Sequence, residues 1–183
     1  MPKSQSRWKC WGHLCVLLLA APTYAEVVDA DTNGFISRHT LVLAAPPQRA
    51  YEVLTQQIHL WWDASHSYGA NAQAFSMDAR AGGCFCETLP GGGSVEHMRV
   101  VNVQPGASLT LRGALGPLQE MGVAGSMQFV FEPHAEGSLL TYRYSVGGYY
   151  PGGLNGLAQP VDQVQLGQLQ RLQRFIAGGG VRD

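Results

Sequence analysis

The chain has 183 residues, 45% hydrophobic and 14% charged, with a formal net charge of −1. That length suits one domain with enough apolar residues for a core, and no basic patch exists to support a nucleic-acid partner. At the N-terminus, Lys3, Arg7 and Lys9 precede the short apolar run Cys10 to Ala21, and Thr23-Tyr24-Ala25 offers small residues at a cleavage site. This pattern predicts a secretory signal peptide over residues 1–25, export to a periplasmic or secreted location, and no stable membrane anchor after cleavage. All the lysines leave with that segment, so what remains is modestly acidic, with Arg as its only strong cation.

Residues 26–34 are polar and turn-rich and read as a loose leader. Residues 36–43 read as a first strand, broken by Ala44-Ala45-Pro46-Pro47, whose prolines are placed to open a helix over 49–57. His59 to Asp63 is a short, aromatic-heavy continuation. Strands are then predicted over 75–80, 84–89, 95–103, 108–115, 123–131 and 139–146, separated by Gly- and Pro-rich turns. Leu140, Tyr142, Tyr144 and Val146 share one face of the last strand. A Gly-rich loop over 147–156 leads to a long helix over 160–176. Its apolar stripe is Val161, Val164, Leu169, Leu172, Phe175 and Ile176, with Gln163, Gln170, Gln173 and Arg174 mostly opposite. Pro160 suits the first turn, Asp162 the positive end of the dipole, and Arg171 and Arg174 the negative end. Gly167 interrupts this helix; a tolerated glycine on a packed surface is the default, and room for a ligand the alternative.

Cys84 and Cys86 lie two apart in a strand-like segment. Their side chains share a face but do not meet in disulfide geometry without a local bend, so buried free thiols are the expectation. A metal role with His97 is disfavoured because no second ligand pair has metal spacing. No Gly-x-Ser-x-Gly, P-loop or His-Glu-x-x-His is present, and no cofactor is expected.

The order of one strand, short helices, a meander of about six strands and a long helix implies an α+β domain. Several segments sharpen that reading: the Pro-started helix followed by Trp61-Trp62, then Ala81-Gly82-Gly83-Cys84-Phe85-Cys86-Glu87. After a Gly hairpin come Arg99-Val100-Val101-Asn102-Val103-Gln104-Pro105 and Leu109-Thr110-Leu111. Together they resemble the START-like, or SRPBCC, helix-grip superfamily, in the branch of heat-shock-protein ATPase activator homologues and polyketide cyclases. The resemblance covers roughly 36–176. It implies a curved antiparallel sheet of six or seven strands wrapped around the C-terminal helix, two short helices after the first strand, and a cavity between sheet and helix. Domain bounds follow: leader 26–35, START-like domain 36–177, disordered tail 178–183. An exported chain would not meet a cytosolic chaperone, and the first-half loop lacks a cyclase signature.

The implied occupant is a hydrophobic small molecule, lipid or polyketide-like. Trp62, Phe85, Met98, Arg112, Met127, Phe129, Tyr142, Tyr144, Leu169 and Leu172 are the expected lining. Arg112 or Arg143 would anchor a carboxylate, although strand arginines ordinarily face solvent. Glu87, in register with Phe85, would sit among aromatics with a raised pKa suited to acid/base work in a cyclase or dehydratase; the default is a hydrated strand-end carboxylate. Of the neighbours Glu96 and His97, only one can face the cavity, and His97 is the proton-transfer candidate. Tyr149-Tyr150 is a candidate gate. A protein-interaction module with a filled core is the third possibility.

Overall fold

The computed structural model describes residues 26–178, so the expected signal peptide and residues 179–183 lie outside it. Strand β1 (Glu26–Ala30) forms a hairpin with β2 (Gly34–Leu43). The Asp31 carboxylate accepts from the N–H groups of Asn33 (2.7 Å) and Gly34 (3.0 Å), closing the turn. The expected flexible leader is therefore an edge strand. Its turn chemistry belongs to a hairpin, and its polarity follows from exposure at the sheet edge.

Helices α1 (Pro47–Gln56) and α2 (Ile58–Trp61) follow, the first opened by Pro46-Pro47 as expected. The meander comprises β3 (Phe75–Met77), β4 (Cys84–Thr88), β5 (Ser94–Gln104), β6 (Ser108–Gly113), β7 (Gly122–His134) and β8 (Gly137–Tyr149). One antiparallel sheet results, in the order β1-β2-β8-β7-β6-β5-β4-β3. It has eight strands rather than six or seven, the addition being β1. Alternation along β7 and β8 puts Met127, Phe129, Phe131, Leu140, Tyr142 and Tyr144 on the buried face. Gly125 makes room for Tyr144, because a Cβ there would lie 2.5 Å from the tyrosine ring.

Helix α3 (Asn155–Ile176) packs against β1, β2, α1 and α2. It begins five residues before Pro160, which forfeits only the bond to the Gly156 carbonyl. Burial of Leu154 and Ala158 against the fold anchors the added turn. The buried face also differs from the apolar stripe. Its members are Ala158, Asp162, Gln165, Gln168, Leu169 and Leu172, whereas Val161 and Val164 are only half-buried. Three polar side chains are tolerated inside because each finds a partner. Asp162 meets His39 at 2.8 Å, Gln165 accepts from the Tyr142 hydroxyl at 2.9 Å, and Gln168 accepts from the Asp63 N–H at 3.0 Å. Asp162 thus serves a buried pair two turns into the helix rather than the dipole end.

The strand pairing of β4 and β5 carries a bulge. Phe85 faces Met98 and Cys86 faces Glu96, leaving His97 as the extra residue. On the other face of β4, Cys84 and Cys86 form a disulfide with their Cα atoms 5.4 Å apart. The expectation of free thiols fails because the ladder is irregular between Phe85 and Cys86, which supplies the local bend a regular strand lacks. Alkylation of the denatured protein should leave Cys84 and Cys86 unlabelled until a reductant is added; labelling without reductant would contradict the bridge.

Gly167 closes neither a packing contact nor a turn, and a Cβ there would meet nothing within 4 Å. Gly167→Ala should therefore stabilise the fold by up to about 1 kcal/mol, a rise of roughly 2–4 °C in Tm by calorimetry.

Candidate functional site

The site is built from the loop after α2, the bulged strand β5, the turn Gly116–Glu120 and the first half of α3. They enclose a cavity of about 500 Å³, within the size range of small-molecule sites. Its apolar wall is Leu157, Val161 and Val164 from α3 facing Leu115, Leu118 and Met121. Trp62 extends this wall, its ring against Phe75 and Phe85. Val161 and Val164, which the periodicity put in the core, thus line the cavity, while Leu169 and Leu172 of the same stripe join the polar trio on the buried face.

Glu87 organises the polar end. Alternation along β4 turns Phe85 and Glu87 inward together, and Glu87 is fully buried. Its carboxylate accepts from the Ser67 hydroxyl (2.6 Å), the N–H groups of Gly69 (2.8 Å) and Tyr68 (3.1 Å), and Nε2 of His97 (3.1 Å). Burial alone pushes the carboxyl up, but these four donors outweigh it and hold the pKa below its ordinary value. Both expectations for Glu87 are thereby corrected. It is neither hydrated nor a raised-pKa acid; it is an ionised carboxylate tying residues 67–69 to the sheet. Three of the four donors, Ser67, Tyr68 and Gly69, come from a loop with no motif of its own, so nothing in the sequence marked them.

His97 is buried and lines the cavity, and Tyr68, Phe75 and Phe85 surround its ring. The bulge allows His97 and Met98 to be buried in succession, which strict alternation forbids. Glu96 is exposed and pairs with Arg99. Burial lowers the His97 pKa, and the Glu87 bond only partly offsets this. The imidazole is therefore neutral near pH 7. Because a carboxylate only accepts, Nε2 carries the proton and Nδ1 keeps its lone pair.

Tyr68, a residue the sequence did not single out, bridges the cavity edge. Its hydroxyl donates toward the Gly116 carbonyl at 3.1 Å, with Gln119 Oε1 at 3.2 Å. Gln119 in turn donates to the Glu96 carbonyl at 2.8 Å.

The other expected site residues fall elsewhere. Phe85, Met98, Met127, Phe129, Tyr142, Tyr144, Leu169 and Leu172 fill the core, none more than 6% exposed, and none lines the cavity. Tyr142 reaches the site indirectly, through Gln165, which is a lining residue. Arg112 is exposed and Arg143 half-exposed, and neither lines the cavity, so neither anchors a ligand there. Strand alternation sends both to the face opposite Leu111 and Tyr142. Tyr149 is 78% exposed and, like Tyr150, lies outside the cavity lining, so the expected gate is not there. Among the described residues no group of three or more His, Cys, Asp or Glu is arranged to hold a metal, and no helix is long and apolar enough to cross a membrane.

Fold and site together define an α+β protein with one eight-stranded antiparallel sheet, a C-terminal helix and a cavity of small-molecule size between them. Neither a protein-family model nor a curated protein matches the chain. Solved structures do. An uncharacterized protein from Rhizobium leguminosarum aligns with TM-score 0.56 and 19% identity over 78% of this chain and 97% of its own. DynU16, from the dynemicin biosynthetic locus, aligns with TM-score 0.55 and 18% identity over 79% of this chain and 48% of its own. StfQ, the di-domain ARO/CYC of the steffimycin biosynthetic pathway, aligns with TM-score 0.54 and 18% identity over 80% of this chain and 52% of its own. The chain spans about half of the latter two, and at these identities the likeness shows the fold alone.

Glu87 and His97 both have folded-state pKa values below their ordinary ones, so the unfolded chain binds protons more readily. Their contribution is full above the ordinary His value of 6.5, begins to fall below it, and falls further below the ordinary Glu value of 4.5. Thermal unfolding from about pH 7.5 to about pH 3.5 should show Tm dropping in that sense, with a shallower acid limb in Glu87→Gln. Glu87→Ala, which leaves buried donors unpaired, should lose about 3 kcal/mol at neutral pH in urea unfolding.

Proposed function

We propose that this is an exported START-like protein that binds a hydrophobic small molecule, lipid or polyketide-like, in the cavity between α3 and the sheet. The observation that carries the proposal is the placement of Leu157, Val161 and Val164. These apolar side chains of a core helix are directed at an open volume while polar residues of the same helix are buried. Leaving apolar surface uncovered forgoes about 25 cal/mol per Å², which a ligand that covers it recovers. The Cys84–Cys86 disulfide agrees with an oxidising compartment, and so with export. The fold neighbours from the dynemicin biosynthetic locus and the steffimycin biosynthetic pathway agree with a small-molecule ligand, at the level of fold.

Native mass spectrometry of protein purified from an exporting host should show an added mass that organic solvent removes. Val161→Trp, which projects a larger side chain into the cavity, should cut ligand occupancy at least about tenfold with Tm nearly unchanged. Full occupancy in that variant would place the ligand elsewhere.

A second reading, an enzyme of cyclase or dehydratase type, is favoured by the neutral His97 held by Glu87 at the cavity wall. Nδ1 would take a proton from the bound molecule, and Glu87 would stabilise the resulting imidazolium. Glu87 is then a positioning residue rather than the acid. In that case His97→Gln loses about 100-fold or more in turnover while binding stays within a few fold; unchanged turnover removes His97 from the chemistry.

A further inference from the structure

The polar atoms of the cavity narrow the class of molecule it takes, and this narrowing rests on the ligand-binding reading above. Most are already committed. Ser67 Oγ donates to Glu87 and accepts from the N–H groups of Gly69 and Asn71. The Tyr68 hydroxyl is donated to the Gly116–Glu120 turn. Ser65 and His66 are solvent-exposed. Two atoms remain. Nδ1 of His97 is an acceptor, because Nε2 spends the ring proton on Glu87. Nε2 of Gln165 is a donor, because the Tyr142 hydroxyl occupies the amide oxygen and fixes the amide orientation. Burial, then Tyr144 and Asp162, push the Tyr142 pKa well up, so its hydroxyl keeps the proton it donates. Among the described residues neither atom has a hydrogen-bond partner, neither is among the enclosed polar atoms lacking one, and both belong to lining residues.

The charges around the cavity point the same way. No Arg or Lys lines it among the described residues. At its edge, burial, then Glu120 and Glu87, push the Tyr68 hydroxyl up, so it stays protonated and neutral. An anionic headgroup would lose its hydration with no Arg or Lys to repay it, and Nδ1 of His97 would offer it a lone pair rather than a proton.

We propose that the cavity selects an uncharged apolar molecule bearing a hydroxyl and a carbonyl, the hydroxyl donating to Nδ1 of His97 and the carbonyl accepting from Nε2 of Gln165, and that it rejects carboxylates and phosphates. Fatty acids and phospholipids are thereby excluded. Hydroxylated ketones of ring or chain type fit.

Isothermal titration calorimetry of the purified protein with four naphthalene probes tests this. At neutral pH, 6-acetyl-2-naphthol carries both groups, 2-acetylnaphthalene lacks the hydroxyl, 2-naphthol lacks the carbonyl, and 6-hydroxy-2-naphthoate replaces the ketone by a carboxylate. The first should bind about fivefold to tenfold tighter than either singly substituted probe, one hydrogen bond in each comparison. The carboxylate should bind at least about tenfold more weakly than the first. His97→Phe should erase the preference for the hydroxyl alone, and Gln165→Leu the preference for the carbonyl alone. Should either variant fail to fold, the probe series on the unaltered protein decides by itself. Equal binding of 2-acetylnaphthalene and 6-acetyl-2-naphthol, or a carboxylate that binds as well as the ketone, overturns the inference and leaves the ligand-binding reading standing. Failure of all four probes to bind overturns both.

Discussion

A single buried carboxylate holds the candidate site together. Glu87 has no contact with water, and an ion in that position is tolerable only when donors replace its hydration. The donors are supplied by Ser67, Tyr68 and Gly69 on one side and His97 on the other. The loop after α2 is therefore closed against the sheet because the carboxylate requires it, and that loop is one wall of the cavity. The same requirement sets the imidazole tautomer, which leaves an acceptor available to a ligand.

Helix α3 divides its work along its length and around its circumference. At the Leu169 and Leu172 end it packs against a core filled by large side chains, the arrangement expected of a protein without a cavity. Toward its N-terminus, Asp162 and Gln165 are fastened to β2 and β8 through His39 and Tyr142. Directional bonds fix the rotation of the helix more narrowly than apolar packing does, and that rotation directs Val161 and Val164 at the open volume. A filled core and a cavity coexist because they belong to different halves of one helix.

The bulge between β4 and β5 links the two faces of the sheet. Inward, it turns His97 to the site beside Phe85 and Glu87; outward, it accompanies the disulfide between Cys84 and Cys86. An extra residue that breaks the period of two is a common way to re-aim a side chain next to a site.

Period-two and period-3.6 patterns were enough to mark the meander, the first short helix, the long helix and the shared face of Leu140, Tyr142, Tyr144 and Val146, because each depends only on local spacing. Glu87 and His97 were legible as candidates for the same reason, by residue type and strand position. Their roles were not, since a carboxylate buried among four donors and one buried among aromatics have opposite pKa consequences, and the donors lie 10 to 20 residues away in sequence. The hairpin of β1, the disulfide and the buried polar face of α3 escaped for a related cause. Each depends on a partner strand, a bulge or a distant side chain such as His39, 123 residues from Asp162. The sequence by itself determined the order of elements and the apolar content that drives their assembly. Tertiary structure decided which polar groups could be buried and which apolar ones were left facing a cavity, because desolvation makes both depend on partners that local pattern does not contain.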